Sequence, residues 1–222
     1  PLGLLQTSSD SFHGQIPTIL KINSSNTLAT SLDQAVTGSI DDALKLGCAA
    51  IGFTIYPGSD HNFSLMEEYR ELSHEAKAKG LAVVLWAYAR GSNISKKGET
   101  AMNIISYAAH MSALLGANII KVKLPSDFLE EDPTKAAFEN NKIAIGSLQE
   151  RVAHIKKVAF EGKRLVVFSG GDAKDDNALM EEIKAIHLGG GNGSIIGRNC
   201  FQRTREDSLT LLDQMIQIYK SK

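Results

Sequence analysis

Cysteine is nearly absent from this chain, which has only Cys48 and Cys200 among 222 residues. The two stand far apart and without ligand spacing. That excludes a disulfide framework or a zinc cluster and reads as two core thiols in a reducing compartment. Charge of one sign is also missing, with 24 Lys and Arg against 25 Asp and Glu and a pI near 6.7. The basic surface that nucleic acid demands is therefore not available. Long apolar runs are lacking, and the first residues hold no charged region followed by a hydrophobic core, so neither a membrane span nor a signal peptide is expected. The default setting is the cytoplasm, with no nucleic acid and no membrane as partner. His13, His61, His74, His110, His154 and His187 are scattered without ligand spacing, so no metal is expected either.

What the chain does have is core-forming material, 43% hydrophobic against 22% charged, over a length that suits one α/β domain. Short β-branched runs alternate with amphipathic segments. Strands are predicted over 16–22, 49–56, 81–88, 118–124, 164–169 and 193–198, and helices over 41–46, 64–79, 100–115, 147–161, 176–188 and 205–219. Ser64 with Glu67 and Ser147 with Glu150 have capping-box spacing, while Gly47, Gly80, Gly116 and Gly162 stand where helices should stop. Strict alternation of strand and helix argues for parallel strands joined by right-handed crossovers.

A parallel sheet can be an open doubly wound layer or a closed barrel. The open option lacks its Gly-x-Gly-x-x-Gly turn after a first strand, since the glycine run 189–193 follows a helix and reads as a connector. Polar residues at the C-terminal ends of many strands favour a (β/α)8 TIM barrel, which keeps its active site there. Such a barrel needs eight units and about 250 residues. Two units fall short. The segment 128–145, with Glu130-Glu131-Asp132-Pro133 and Asn140-Asn141, resists assignment and reads as a surface excursion, with a lid or an oligomer contact as alternatives.

The most informative stretch runs from Asn118 to Asp127, because Lys121 and Lys123 share one face of an otherwise apolar strand whose other face carries Ile120 and Val122. Lysine is rarely buried without a reason. Pairing with a carboxylate, or a side chain reaching out to solvent, is the plain explanation. The sharper one is an amine nucleophile for a carbonyl, its charging disfavoured by burial and by the neighbouring ammonium.

A second segment, 81–91, places Val84, Trp86, Tyr88 and Arg90 on one face of a strand. If that strand neighbours the lysine strand, about 5 Å away, Tyr88 could reach chemistry at Lys121. Trp86 also fits a core aromatic, whereas a buried Tyr88 hydroxyl would need a partner. Near the end of the chain, Val166-Val-Phe-Ser-Gly-Gly-Asp172 and Ser194-Ile-Ile-Gly-Arg-Asn199 each join a strand to a small-residue turn that bares backbone N–H groups. Loops of the last two barrel units often hold a phosphate.

Taken in order, Ile-Leu-Lys-Ile-Asn (19–23), Gly-Phe-Thr-Ile-Tyr-Pro-Gly-Ser (52–59), Leu-Trp-Ala-Tyr-Ala-Arg-Gly (85–91), Ile-Ile-Lys-Val-Lys (119–123), Phe-Ser-Gly-Gly (168–171) and Ile-Gly-Arg-Asn-Cys-Phe-Gln (196–202) resemble the archaeal-type class I fructose-1,6-bisphosphate aldolases. The resemblance implies a (β/α)8 barrel with a Schiff-base lysine on its sixth strand and no cofactor. Lys121 would form the imine and Tyr88 would move protons. Trp86 and Lys123 would contact the substrate, and Ser169, Gly170, Gly171, Gly197 and Arg198 would surround a phosphate of the sugar-phosphate substrate. A homo-oligomer is implied as well. Pro125-Ser126-Asp127 departs from the family's Thr-Gly-Asp. Leu2-Gly-Leu-Leu resembles the segment after the family's second strand, so residues 1–222 are expected to form a single barrel domain without the first two units and their active-site aspartate. The alternatives are a related imine-forming sugar-phosphate synthase or transaldolase-like enzyme, and a non-catalytic sugar-phosphate-binding barrel.

Overall fold

The computed structural model describes residues 1–12, 14–169 and 174–221. In chain order its elements are α1 (Leu2–Thr7), α2 (Ser9–Phe12), β1 (Ile19–Lys21), β2 (Asn23–Ser24), β3 (Ala35–Val36), α3 (Ile40–Lys45), β4 (Ala50–Ile55), α4 (Asn62–Ala78), β5 (Ala82–Ala87), a 3-10 turn (Gly98–Thr100), α5 (Met102–Leu114), β6 (Ile119–Lys123), α6 (Asp132–Asn140), α7 (Leu148–Val158), β7 (Leu165–Ser169), α8 (Asp176–Leu188), β8 (Gly193–Ile195), α9 (Arg198–Phe201) and α10 (Arg205–Lys220). All six expected strands form, shortened at their ends. The chain divides into two compact units, Pro1–Ile94 with Met111–Ile120, and Ser95–His110 with Lys121–Lys222.

In the first unit, β1 pairs parallel with β4 (Ile19 opposite Ala50) and β4 with β5 (Ala50 opposite Ala82). The Asn118 N–H donates to the Val83 carbonyl at 3.1 Å, and the Asn118 side chain accepts from the Val83 N–H at 3.0 Å, so the start of β6 runs beside β5. Every residue of β4 is buried, as expected of a parallel strand covered on both faces. Helix α4 buries Leu65, Tyr69, Ser73 and Ala76, a helical stripe, and sets the Tyr69 ring 5.8 Å from Phe53 of β4. β2 and β3 form a small antiparallel hairpin (Asn23 opposite Val36).

In the second unit, β7 pairs parallel with β8, Ser169 facing Ile195. A long 3.4 Å bond from the Ser169 hydroxyl to the Val122 carbonyl sets the end of β6 beside β7. Leu179, Ile183, Leu211 and Met215 form a core cluster between α8 and α10. Helix α6 fills the middle of the segment that the sequence leaves unassigned. Pro133 stands in its first turn and none of its residues is buried, so it is a helical surface excursion.

The capping reading holds at one end and fails at another. Ser147 and Glu150 form their box, at 3.2 Å and 2.8 Å. The Ser64–Glu67 box does not form, because the turns at Ser59 and Asn62 lead straight into α4 two residues earlier. The Ser64 hydroxyl instead donates to the His61 carbonyl at 3.0 Å. A box absent from the sequence reading, Ser39 with Asp42, starts α3. Gly47, Gly80 and Gly116 have positive φ just past the ends of α3, α4 and α5, where they were expected, whereas α7 already ends at Val158 and Gly162, also at positive φ, lies in the turn beyond it.

Candidate active site

Lys121 is the one lysine among the buried residues of the described chain, at 8% exposure, between Ile120 and Val122 at 0%. Burial pushes its amine from 10.5 down to about 8. Roughly a tenth of the molecules therefore hold it neutral at pH 7. Lys123, two residues on, is treated differently. Its Nζ lies 2.6 Å from Glu99 in the 3-10 turn, and Lys96 reaches the same carboxylate at 3.0 Å. Burial alone would raise the Glu99 pKa, but the hydrogen bonds from Lys123 and Lys96 outweigh it and hold the carboxyl below its usual range. The charge of Lys123 is thus matched within its own pair. The expected repulsion between the two lysines gives way to burial as the cause of the low pKa at Lys121.

Two loops of the second unit hold this arrangement. The Ser126 N–H and hydroxyl both donate to the Thr100 carbonyl, at 2.7 Å and 3.0 Å, and the Met102 N–H donates to the Phe128 carbonyl at 2.8 Å. Glu130 accepts from the Ser95 N–H and hydroxyl at 2.8 Å and 2.9 Å, and the Lys97 ammonium lies 4.2 Å from the Phe128 ring centre. Pro125-Ser126-Asp127, which departs from the family pattern, is therefore tied to the segment that delivers Glu99. Arg151 reinforces it with a 2.9 Å bond to the Pro125 carbonyl.

Of the expected phosphate residues, Ser169 is half-buried at the end of β7, while Gly197 and Arg198 are exposed. Arg198 opens α9 rather than ending β8, because Gly197 at φ −121°, ψ −88° breaks the strand and starts the helix. Ser169 is in register with Ile195, two residues before Gly197, so β7 and β8 end side by side. Gly170 and Gly171 lie outside the described residues. Buried Asn199, unread in the sequence, ties this region together by accepting from the Lys174 N–H at 2.9 Å.

In the first unit, Trp86 and Tyr88 are both half-buried. The Trp86 ring lies across Gly52 of β4, where an added Cβ would come within 1.9 Å of it. Tyr88 is anchored through its N–H to the Ile55 carbonyl at 3.1 Å and through the Arg90 N–H to the Pro57 carbonyl at 3.0 Å. Only glycine fits at 91 in this join, because a Cβ there would meet the Gly58 carbonyl oxygen at 1.6 Å. Burial pushes the Tyr88 phenol up to about 12, with Arg90 pulling slightly down and Tyr56 slightly up.

Lys21, at the end of β1, is a second half-buried amine that sequence reasoning missed. Burial pushes it down to about 7. Its signal was present in Ile-Leu-Lys-Ile-Asn, a lysine at a strand end between apolar neighbours, as at Lys121. Among the described residues no three His, Cys, Asp or Glu side chains gather as metal ligands. An apolar groove of about 410 Å³ between α5 and α7, lined by Tyr107, His110 and Phe160, contains none of these amines.

A model of the DeoC/LacD family aldolases matches residues 2–203. The chain belongs to that family. It is 31% identical over 194 residues to the class 1 fructose-bisphosphate aldolase of Thermoproteus tenax, covering 86% of this chain and 64% of the relative. With the Halobacterium salinarum enzyme of the same name it is 30% identical over 202 residues, covering 90% and 67%. The chain thus spans about two thirds of the length of these relatives. A solved archaeal fructose-1,6-bisphosphate aldolase, its catalytic lysine bound to the carbinolamine intermediate, superposes with a TM-score of 0.81 at 27% identity, over 99% of this chain and 76% of that one. The fold is accordingly α/β with six parallel strands.

Proposed function

We propose that this protein is a class I aldolase that cleaves fructose 1,6-bisphosphate reversibly to dihydroxyacetone phosphate and glyceraldehyde 3-phosphate through an imine on Lys121. The observation that carries the reading is a buried lysine amine with its pKa near 8, on a strand of an aldolase-family chain. The neutral amine attacks the C2 ketone of the open-chain sugar. A carbinolamine results, and its hydroxyl leaves as water with a proton from Tyr88, giving an iminium and a phenolate. Electrons now flow toward the cationic nitrogen. The phenolate takes the C4 hydroxyl proton, the C3–C4 bond breaks, glyceraldehyde 3-phosphate departs and the electron pair stays as an enamine. Tyr88 then protonates C3, and water hydrolyses the iminium, giving its spare proton to the phenolate and releasing dihydroxyacetone phosphate and the free amine. A phenol with its pKa near 12 rests protonated, which suits a group that enters the cycle as a donor.

In this reading Ser169, Gly170, Gly171, Gly197 and Arg198 hold a phosphate so that the ketone meets the amine, which is positioning rather than bond making. Trp86 walls the substrate. Lys123, already paired with Glu99, offers N–H donors to a sugar hydroxyl rather than net charge. We read the six main strands as strands three to eight of the family's (β/α)8 barrel, and carry over a homo-oligomeric assembly and a cytoplasmic setting. A second reading, an imine-forming sugar-phosphate synthase, draws on a Methanocaldococcus jannaschii relative, 26% identical over 215 residues, that is named for both aldolase and 6-deoxy-5-ketofructose 1-phosphate synthase activity.

The test is triose phosphate release from a panel of ketose phosphates, with and without EDTA. Cleavage of fructose 1,6-bisphosphate that is indifferent to the chelator is expected. Activity lost to EDTA and restored by zinc would point to a metal-dependent aldolase. Preference for another phosphate would favour the synthase, and binding without turnover a non-catalytic barrel.

A further inference from the structure

The groove between α5 and α7 takes no part in the chemistry above, and all of it lies within the second unit. Its volume of about 410 Å³ falls in the range of small-molecule sites. Three rings line it. Tyr107 stands exposed on α5, and Phe160, half-buried beyond the end of α7, makes a T-shaped contact with His110, 5.7 Å between ring centres. The His110 Nδ1–H donates to the Val158 carbonyl at 2.8 Å, since a carbonyl can only accept. Nε2 of the neutral ring is left as an acceptor.

The backbone is bent to put Phe160 there. Phe160 and Glu161 both adopt left-handed geometry, at φ 58° and 53°, where a residue with a side chain rarely stays. Bonds from the Glu161 N–H to the Lys157 carbonyl at 2.8 Å and from the Gly162 N–H to the Lys156 carbonyl at 3.0 Å hold the bend. The charge beside the rings is of one sign. Lys157 lines the groove, and the Arg164 guanidinium lies 5.8 Å from the Phe160 ring centre. Neither cation has a carboxylate partner among the described residues. Arg164 Nε finds no acceptor there either, and its Nη1 has only the Lys163 carbonyl, at 3.4 Å. A lysine in the last turn of α7 suits the helix dipole, which accounts for Lys157 but not for the rings gathered beside it.

We propose that this groove binds a purine nucleoside phosphate, with the base against Tyr107 and Phe160, its exocyclic amine at His110 Nε2, and the phosphate at Lys157 and Arg164. Aromatic side chains favour a flat base through stacking, and two cations without carboxylates offer charge-assisted donors to a phosphate. An apolar helix would fill the groove and leave those donors unused. The site is independent of the aldolase reading, because none of its residues enters the imine chemistry.

Isothermal titration calorimetry with adenosine monophosphate, at constant ionic strength, tests the site. Saturable binding is expected, weaker by at least about fivefold for adenosine, which lacks the phosphate, and weaker still for inorganic phosphate, which lacks the base. Lys157→Gln should weaken it about three- to tenfold. Phe160→Gly, which removes the ring while tolerating the left-handed backbone, should weaken it at least about fivefold, as should Tyr107→Ala on the exposed face of α5. Saturating fructose 1,6-bisphosphate should leave the curve unchanged. No saturable heat in wild type, inorganic phosphate binding as tightly as the nucleotide, competition by the sugar phosphate, or Lys157→Gln and Tyr107→Ala curves that overlay wild type would each overturn the site. A self-association that Tyr107→Ala abolishes, with no nucleotide bound by either protein, would overturn it in favour of a second copy of the chain.

Discussion

Lys121 and Lys123 stand two residues apart on β6 and meet different surroundings. The first is buried with its amine near 8, and the second is ion-paired with Glu99 at 2.6 Å. What separates them is depth of burial and the carboxylate beside Lys123 rather than the strand they share. Burial lowers the Lys121 amine pKa by an amount worth about 3 kcal/mol relative to a solvated lysine, whereas Lys123 is tied to a carboxylate. Lys21 extends the comparison as a third case, a half-buried amine pushed down to about 7 and bonded to neutral oxygens.

Several substitutions would break or sharpen that contrast. Lys121→Met removes the nucleophile and should cost about 10⁴-fold or more in kcat, with no imine trapped. The same change at Lys123 should cost far less, and equal losses at the two positions would dissolve the distinction. Tyr88→Phe should lower kcat by about 10²- to 10³-fold while the imine on Lys121 still forms, read by separate trapping and turnover assays. Glu99→Gln leaves Lys123 with an uncompensated charge and should cost about 1 kcal/mol in urea unfolding. Because the folded pKa of Glu99 is depressed, its contribution is present above the unfolded value of 4.5 and lost as pH falls through the lower folded value. The gap between wild type and Glu99→Gln should therefore close on acidification.

Elements set by local pattern were legible in the sequence. Six strands and six major helices follow from alternation punctuated by glycine, and Lys121 and Tyr88 stood out because an amine and a phenol interrupt apolar strands. Features set by distant partners were not. Glu99 sits in Lys96-Lys97-Gly98-Glu99, which reads as a solvated charged loop, and only the fold brings it to a lysine 24 positions away. Gln34 meets Lys21 across the β2–β3 hairpin, two very short strands with no alternation long enough to read. The Ser64 box failed for a local reason of another kind. The turns at Ser59 and Asn62 start α4 after His61 and leave Ser64 inside its first turn.

The most direct test of the central claim is the pH dependence of borohydride trapping with fructose 1,6-bisphosphate, with the labelled lysine located by peptide mass analysis. The account expects the adduct on Lys121, forming at a rate that rises with pH and levels off above about 8. Label on Lys21 or Lys123 instead, or a rate still climbing toward 10.5 as for a solvated lysine, would contradict it.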